Sequence, residues 1–185
     1  MQKDKRIFCL LGDIGVFSFR DIFKKFKNRI LNMSTMEQTM IGFSAGLSKA
    51  GYIPIVHSIT PFLVLRALEQ IKIDLVYNKL SCNIVSVGAS NDYSKLGTTH
   101  HCFEDISTLS NYNDINLFLP SSAQELKYLL KKNYNNNGIN YFRLSENIDK
   151  KTIKRNGYLK FDKSTKLVII VGLSLIHISE PTRLG

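Results

Sequence analysis
From Ile7 to Leu144 short apolar runs alternate with segments of helical spacing, and that alternation leaves few folds open. Ile7 to Leu11 reads as a buried strand, closed by the turn Gly12-Asp13-Ile14-Gly15. Helical spacing follows over Phe19 to Lys27, then a short second strand from Arg29 to Met33. Met36, Met40, Phe43 and Leu47 recur along one face of a helix that ends at Gly51. A third strand spans Ile53 to Ile59, and a helix runs from Phe62 to Tyr77. Strand four is Asn83 to Val87, followed by a loop with Gly and Ser that reaches His100, and by a short helix over Glu104 to Leu109. Strand five is Ile115 to Leu119, Ser121 caps a helix from Ala123 to about Lys131, the Asn133 to Asn137 cluster turns, and Ile139 to Leu144 makes strand six. This order predicts an α/β fold, a mostly parallel sheet with helices on both faces.

With 185 residues the chain has room for one domain with a substantial core. That domain is expected over 1–145, followed by a polar linker over 146–166. The run Leu167 to Val171 reads as a fresh strand, so 167–172 is expected to open a further domain that is cut short. The string from Leu173 to Arg183 resembles, residue for residue, a translated sequencing-library adapter, although Glu180-Pro181 would also suit a natural loop. Residues 173–185 are therefore expected to be a foreign tail, with native sequence stopping near Gly172 and His177 set aside as a ligand or catalyst.

A formal charge of +10 invites a nucleic-acid reading. The basic residues are dispersed, with small groups at Lys24, Lys25 and Lys27, at Lys131 and Lys132, and at Lys150, Lys151, Lys154 and Arg155. No basic run interleaved with aromatics and no nucleic-acid module signature is present, so the charge reads as solvated surface. Cys9, Cys82 and Cys102 are widely spaced and odd in number, which suits neither a disulfide framework nor a zinc pattern and points to a reducing cytoplasm. The start of the chain has no signal-type apolar stretch, and the run from Leu167 to Ile178 is too short and interrupted to span a bilayer.

Two segments carry chemistry. The first runs from Asn32 through Ser34, Glu37 and Gln38 to Leu47; the second is Gly97-Thr98-Thr99-His100-His101, followed by Glu104-Asp105. Between them stand Ile53-Pro54-Ile55-Val56-His57 and Thr60-Pro61-Phe62-Leu63. Together and in this order, from about Leu10 to Leu144, they resemble the pyrimidine-binding domain of transketolases. In that family a strand leads into a helix opening with Glu-Gln, and a later loop carries Gly-x-Thr-His. The resemblance implies the thiamine-diphosphate-binding fold, pyrimidine module, with thiamine diphosphate and Mg²⁺ as cofactors.

Thiamine diphosphate adds to carbonyls through a carbon nucleophile made with the help of its own aminopyrimidine. A carboxyl group hydrogen-bonded to the ring nitrogen drives that step, and the resemblance gives this role to Glu37, with Met36, Met40 and Ile41 as apolar surroundings. Read locally, Glu37 also suits an ordinary first-turn glutamate completing a capping box with Ser34. His100 matches the loop histidine near the cofactor amino group and substrate; its bland reading is a cap on the following helix. His101 is its neighbour, with a swap of roles left open. Phe62 matches the aromatic that stacks on the pyrimidine, against plain core packing. Arg66, one turn on, suits a fork for a substrate phosphate or carboxylate. His57 ends a buried strand as a core or interface residue, in a region that in the family lies near the substrate channel. Asp13 and Gly15 argue only a turn.

The Gly-Asp-Gly motif and following Asn that bind diphosphate and metal in the family have no counterpart here, since Gly12-Asp13-Ile14 departs from them. The metal ligands are therefore expected from a partner, an amino-terminal transketolase subunit, in a homo- or hetero-oligomer whose site forms between subunits. The first strand begins close to Met1, as a separate carboxy-terminal subunit would. The expected reaction is transfer of a two-carbon ketol unit between sugar phosphates or related carbonyl compounds, with no nucleic-acid or membrane partner. Deoxyxylulose-phosphate synthase and the beta-type subunit of 2-oxoacid dehydrogenases share the same glutamate chemistry and stay open, as do a non-catalytic basic α/β binding module and an inert fragment.

Overall fold
Every one of the apolar runs up to residue 144 forms a strand: β1 (Ile7–Leu11), β2 (Ile30–Asn32), β3 (Ile53–Ile59), β4 (Cys82–Val87), β5 (Ile115–Phe118) and β6 (Ile139–Arg143). The computed structural model describes residues 1–146. The remainder of the expected linker, the strand from Leu167, the further domain and the tail lie outside the described residues. All the strands pair in parallel, in the order β2-β1-β3-β4-β6-β5.

The register aligns Leu31, Leu10, Val56, Ile84, Tyr141 and Leu117 in one row across the sheet. Leu10, Val56, Ile84 and Tyr141 of this row are fully buried and form the core with Met40, Ile41, Leu63, Val64 and Leu75. Each such aliphatic side chain contributes roughly 1.5–3 kcal/mol by leaving water. One residue along, on the opposite face, the row runs Ile30, Cys9 and Ile55 and then turns polar at Asn83, Asn140 and Asn116 on β4, β6 and β5. Asn116 donates to Asn140 Oδ1 (3.1 Å), and Asn140 donates to Asn83 Oδ1 (3.0 Å) and to the Asn133 carbonyl (2.9 Å). Asn83 donates to the Tyr134 carbonyl at 2.9 Å.

The helices are α1 (Arg20–Lys25), α2 (Glu37–Lys49), α3 (Leu68–Gln70), α4 (Asp105–Leu109) and α5 (Ala123–Asn133). Right-handed crossovers in this strand order put α1 and α5 on one face and α2, the 61–77 segment and α4 on the other. In agreement, α2 packs on β3 and on the 61–77 segment, and α4 touches that segment too. No helix among the described residues is long and apolar enough to cross a membrane.

The structure departs from the sequence reading in particulars. The helix expected from Phe62 to Tyr77 is α-helical only over α3; the flanking stretches Pro61–Arg66 and Ile71–Tyr77 are wound more widely, as π-helix. Ser122, not Ser121, is the N-cap of α5, its Oγ accepting the Glu125 N–H at 3.2 Å. Ser121 instead donates its N–H and hydroxyl to the Glu125 carboxylate. The buried face of α2 is Glu37, Met40, Ile41, Ser44 and Ala45, one residue round from the expected stripe. Met36 and Phe43, both on the expected apolar stripe, are exposed.

Candidate active site
In an open parallel sheet a crevice forms beyond the carboxyl ends of adjacent strands whose connections leave in opposite directions. Here those strands are β1, which connects back to β2, and β3, which connects on to β4. The crevice edge is built by Gly12, just after β1, and by Ser58 near the end of β3. α2 enters the same place with Glu37 as its first residue.

The approach to α2 is held by Asn32. Its Oδ1 accepts the N–H groups of Asp13 (3.0 Å) and Ser34 (3.2 Å), and its amide donates to the Asp13 carboxylate (3.0 Å). Asp13 and Ser34 both adopt positive φ, 61° and 58°, so this small network holds two non-glycine residues in the left-handed region. Asp13 and Gly15 thus do serve a turn. Ser34 is not the N-cap: Met36 occupies that position and no side chain caps the helix. The capping-box reading of Glu37 falls with it.

Glu37 instead turns inward and is 1% exposed. Ser58 donates its hydroxyl to Oε1 at 2.8 Å, and Arg66 donates to Oε2 at 3.0 Å. A buried carboxylate without such partners would cost several kcal/mol. Of the expected apolar neighbours, Met40 and Ile41 are buried and Met36 is not. The Arg66 guanidinium lies over the Phe62 ring, 4.2 Å from its centroid. The His100 ring meets Phe62 edge-on, with centroids 5.1 Å apart. The wide turn Pro61–Arg66 carries both Phe62 and Arg66 to this point.

His100 ends a tight turn, Thr98–His100, that begins at Gly97 with φ of 86°, a conformation suited to glycine. Its Nδ1 shares a hydrogen bond of 3.0 Å with the Thr99 hydroxyl. The loop that bears it is closed at its neck by a two-residue bridge between Ser90 and Cys102. Beneath the neck, Arg143 donates to Asp105 Oδ2 (2.8 Å) and to Ser90 Oγ (2.7 Å). Tyr141 donates to the same Asp105 oxygen at 2.7 Å. Burial first, and then the Asp105 carboxylate, hold the Tyr141 phenol well above its ordinary range.

Glu37, Arg66, Phe62 and His100 therefore form one continuous cluster. His57 stands apart from it, because alternation along β3 turns its ring to the face opposite Ser58. There its Nδ1 donates to the Val85 carbonyl (2.9 Å), and burial depresses its pKa. His101 packs against Phe103, with centroids 6.3 Å apart, and its buried Nε2 has no hydrogen-bond partner among the described residues. Ser58 and Gly12 were not singled out from sequence. The available signal was a serine on the core-facing side of a strand, since a buried hydroxyl calls for a partner.

This cluster fits one end of thiamine diphosphate. A buried carboxylate whose oxygen bonds a planar group stacked on an aromatic face, and a histidine at the edge of that aromatic, suit a flat nitrogen heterocycle. Nothing comparable suits the other end: among the described residues no group of three His, Cys, Asp or Glu could hold a metal ion. Cys9, Cys82 and Cys102 are free thiols, and burial pushes those of Cys82 and Cys102 up to about 12.

A family model described as transketolase, pyrimidine binding domain, matches residues 1–149. An apulose-4-phosphate transketolase subunit from Actinobacillus succinogenes is 33% identical over 121 residues, which is 65% of this chain and 39% of the relative. The 6-deoxy-6-sulfo-D-fructose transketolase subunit SqwH of Clostridium sp. (strain MSTE9) is 28% identical over 144 residues, 77% of this chain and 45% of the relative. Among solved structures, a split-gene transketolase described as an inactive beta4 tetramer superposes with a TM-score of 0.69 at 28% identity, covering 79% of this chain and 46% of that one. The chain spans less than half the length of each of these proteins.

Proposed function
This chain belongs to the transketolase pyrimidine-binding domain family, and from that premise we propose that it is the cofactor-activating half of a thiamine-diphosphate-dependent transketolase-type transferase. The observation that carries the reading is Glu37, an acid buried at the β1/β3 crevice with one oxygen bonded to Ser58 and the other to Arg66, whose guanidinium lies over the Phe62 ring that His100 meets edge-on. When bound, thiamine diphosphate supplies a carbon nucleophile and electron sink for carbonyl substrates.

The chain's own residues divide the remaining work. Glu37 hydrogen-bonds the pyrimidine nitrogen, and Ser58 keeps the carboxylate aimed by holding its other oxygen. Phe62 gives the ring a face to stack on. His100, at the edge of that face, carries a proton between the cofactor amino group and the substrate. Arg66 offers a fork to an anionic substrate group at the mouth of the crevice.

A second subunit supplies the diphosphate and Mg²⁺ site, and the working enzyme is an oligomer with the site between its halves, acting in the cytoplasm. Relatives named as transketolase subunits support this division. Those same relatives are named for sugars bearing a phosphate or a sulfo group, which supports two-carbon ketol transfer between sugar phosphates or similar anionic carbonyl compounds.

The test is Glu37→Gln in the chain assembled with a diphosphate-binding partner. Transfer from a ketose donor should fall by about 10²–10⁴-fold, with an unchanged circular dichroism spectrum. Full turnover by that variant would sink the assignment, and activity on pyruvate but on no ketose would move it to the synthase class.

A further inference from the structure
The contacts that suit Glu37 and Phe62 to a flat heterocycle are both made in this structure by one side chain. The Arg66 guanidinium donates to Glu37 Oε2 at 3.0 Å and covers the Phe62 face at 4.2 Å. A guanidinium is planar, delocalised and rich in N–H groups, so it stacks on an aromatic and bonds a carboxylate at once. An aminopyrimidine needs the same pair of partners in the same relation. We propose that Arg66 and the pyrimidine of the cofactor compete for a single seat, so that Arg66 pairs with Glu37 until the ring displaces it. The inference rests on the cofactor reading given above and adds to it a residue that sets how tightly the ring is held.

Burial decides which partner moves. The Glu37 side chain is 1% exposed and Arg66 is 43% exposed. A buried carboxylate cannot be left bare without a large penalty, whereas a half-exposed guanidinium passes into water at little cost. Exchange therefore proceeds by Arg66 swinging outward as the ring arrives, with Glu37 paired before and after. Ser58 keeps its bond to Oε1 in both arrangements and holds the carboxylate in place. Displacement also frees the guanidinium at the rim of the crevice, where it can meet an anionic substrate. Seating the ring and opening the anion fork become a single event.

The seat lies within this chain, so thiamine itself is the probe, and the full chain is titrated with it by saturation-transfer NMR read on the pyrimidine protons. Arg66→Ala should bind thiamine about fivefold more tightly than the unaltered chain, the ratio expected for loss of one half-exposed ion pair. Arg66→Lys, which keeps a cation but not a flat one, should fall between them. In the unaltered chain the Arg66 Nε–Hε signal should move with thiamine toward its position in Glu37→Gln. Equal or weaker binding by Arg66→Ala, with Glu37→Gln still weakening it, would overturn the competition and leave the cofactor reading standing. Indifference of both Arg66 backgrounds to Glu37→Gln would bring down the cofactor reading and the competition together. No pyrimidine contact with either protein overturns the competition, because the seat would not be in this chain.

Discussion

A Cβ atom placed on Gly12 would stand 2.6 Å from the Oγ of Ser58 and 2.8 Å from its Cβ. No real Cβ tolerates that approach to backbone-anchored atoms, and Ser58 is the residue that holds Oε1 of Glu37. Gly12→Ala should therefore push Ser58 off the carboxylate. We expect a loss of about 1–3 kcal/mol in urea unfolding, the usual cost of overpacking, together with a fall in activity greater than that of Ser58→Ala. An alanine variant as stable and active as the parent would show that β1 and β3 part freely at this point.

Asp105 and Arg143 form an ion pair with both side chains less than a tenth exposed, below the neck of the loop that bears His100. Asp105→Asn leaves a buried guanidinium facing a neutral amide, and should cost about 3–5 kcal/mol. Hydrogen exchange of the Ser90 and Cys102 amides should quicken more than that of β1, because their bridge is the structure the pair supports. Uniform acceleration across the sheet would mean the pair serves global stability alone.

His57 titrates below the ordinary histidine value of 6.5, because burial outweighs the bond to Val85. Its folded form binds the proton less readily than its unfolded form. Stability from this group is thus present above about pH 6.5 and drains away as pH falls through the depressed folded value. Melting temperatures of the parent and of His57→Gln, taken from pH 8 to pH 5, should converge toward the acid end. Parallel curves would remove His57 from the account.

Asn140 sits at the middle of the amide line that joins Asn83 and Asn116. Asn140→Leu would strand the Asn83 carbonyl oxygen and the Asn116 amide away from each other, and is expected to cost about 1–3 kcal/mol for the unsatisfied groups. Chemical denaturation measures it directly. A neutral result would imply that the neighbours find new partners without moving α5.

The six strands were legible because each is a short apolar run between turn residues, and β3 agrees to the residue at both ends. The face of α2 was not. Its periodicity favoured Met36 and Phe43, yet the helix buries Glu37 and Ser44, because polar groups can be core when partners such as Ser58, Arg66 and the Ile41 carbonyl await them. Partners 21 and 29 residues away leave no trace in a local pattern. The wide turns at Pro61–Arg66 and Ile71–Tyr77 escaped for a related reason, since the apolar spacing of the 61–77 segment reads equally well as α-helix. Glu37, Phe62 and His100 were named through resemblance, and the structure brings them to one place. The role of Gly12 depends on a contact between two strands and could be seen only once they were paired.

The outermost strands, β2 with three residues and β5 with four, are also the shortest in the sheet. Each border therefore offers little unpaired backbone on which another strand could be templated. Such blunt borders guard a parallel sheet against growing sideways into aggregates. They also direct recognition of another chain away from strand addition and toward side-chain contacts on the helices and on the loops beyond the carboxyl ends of the strands, the edge where Glu37 lies.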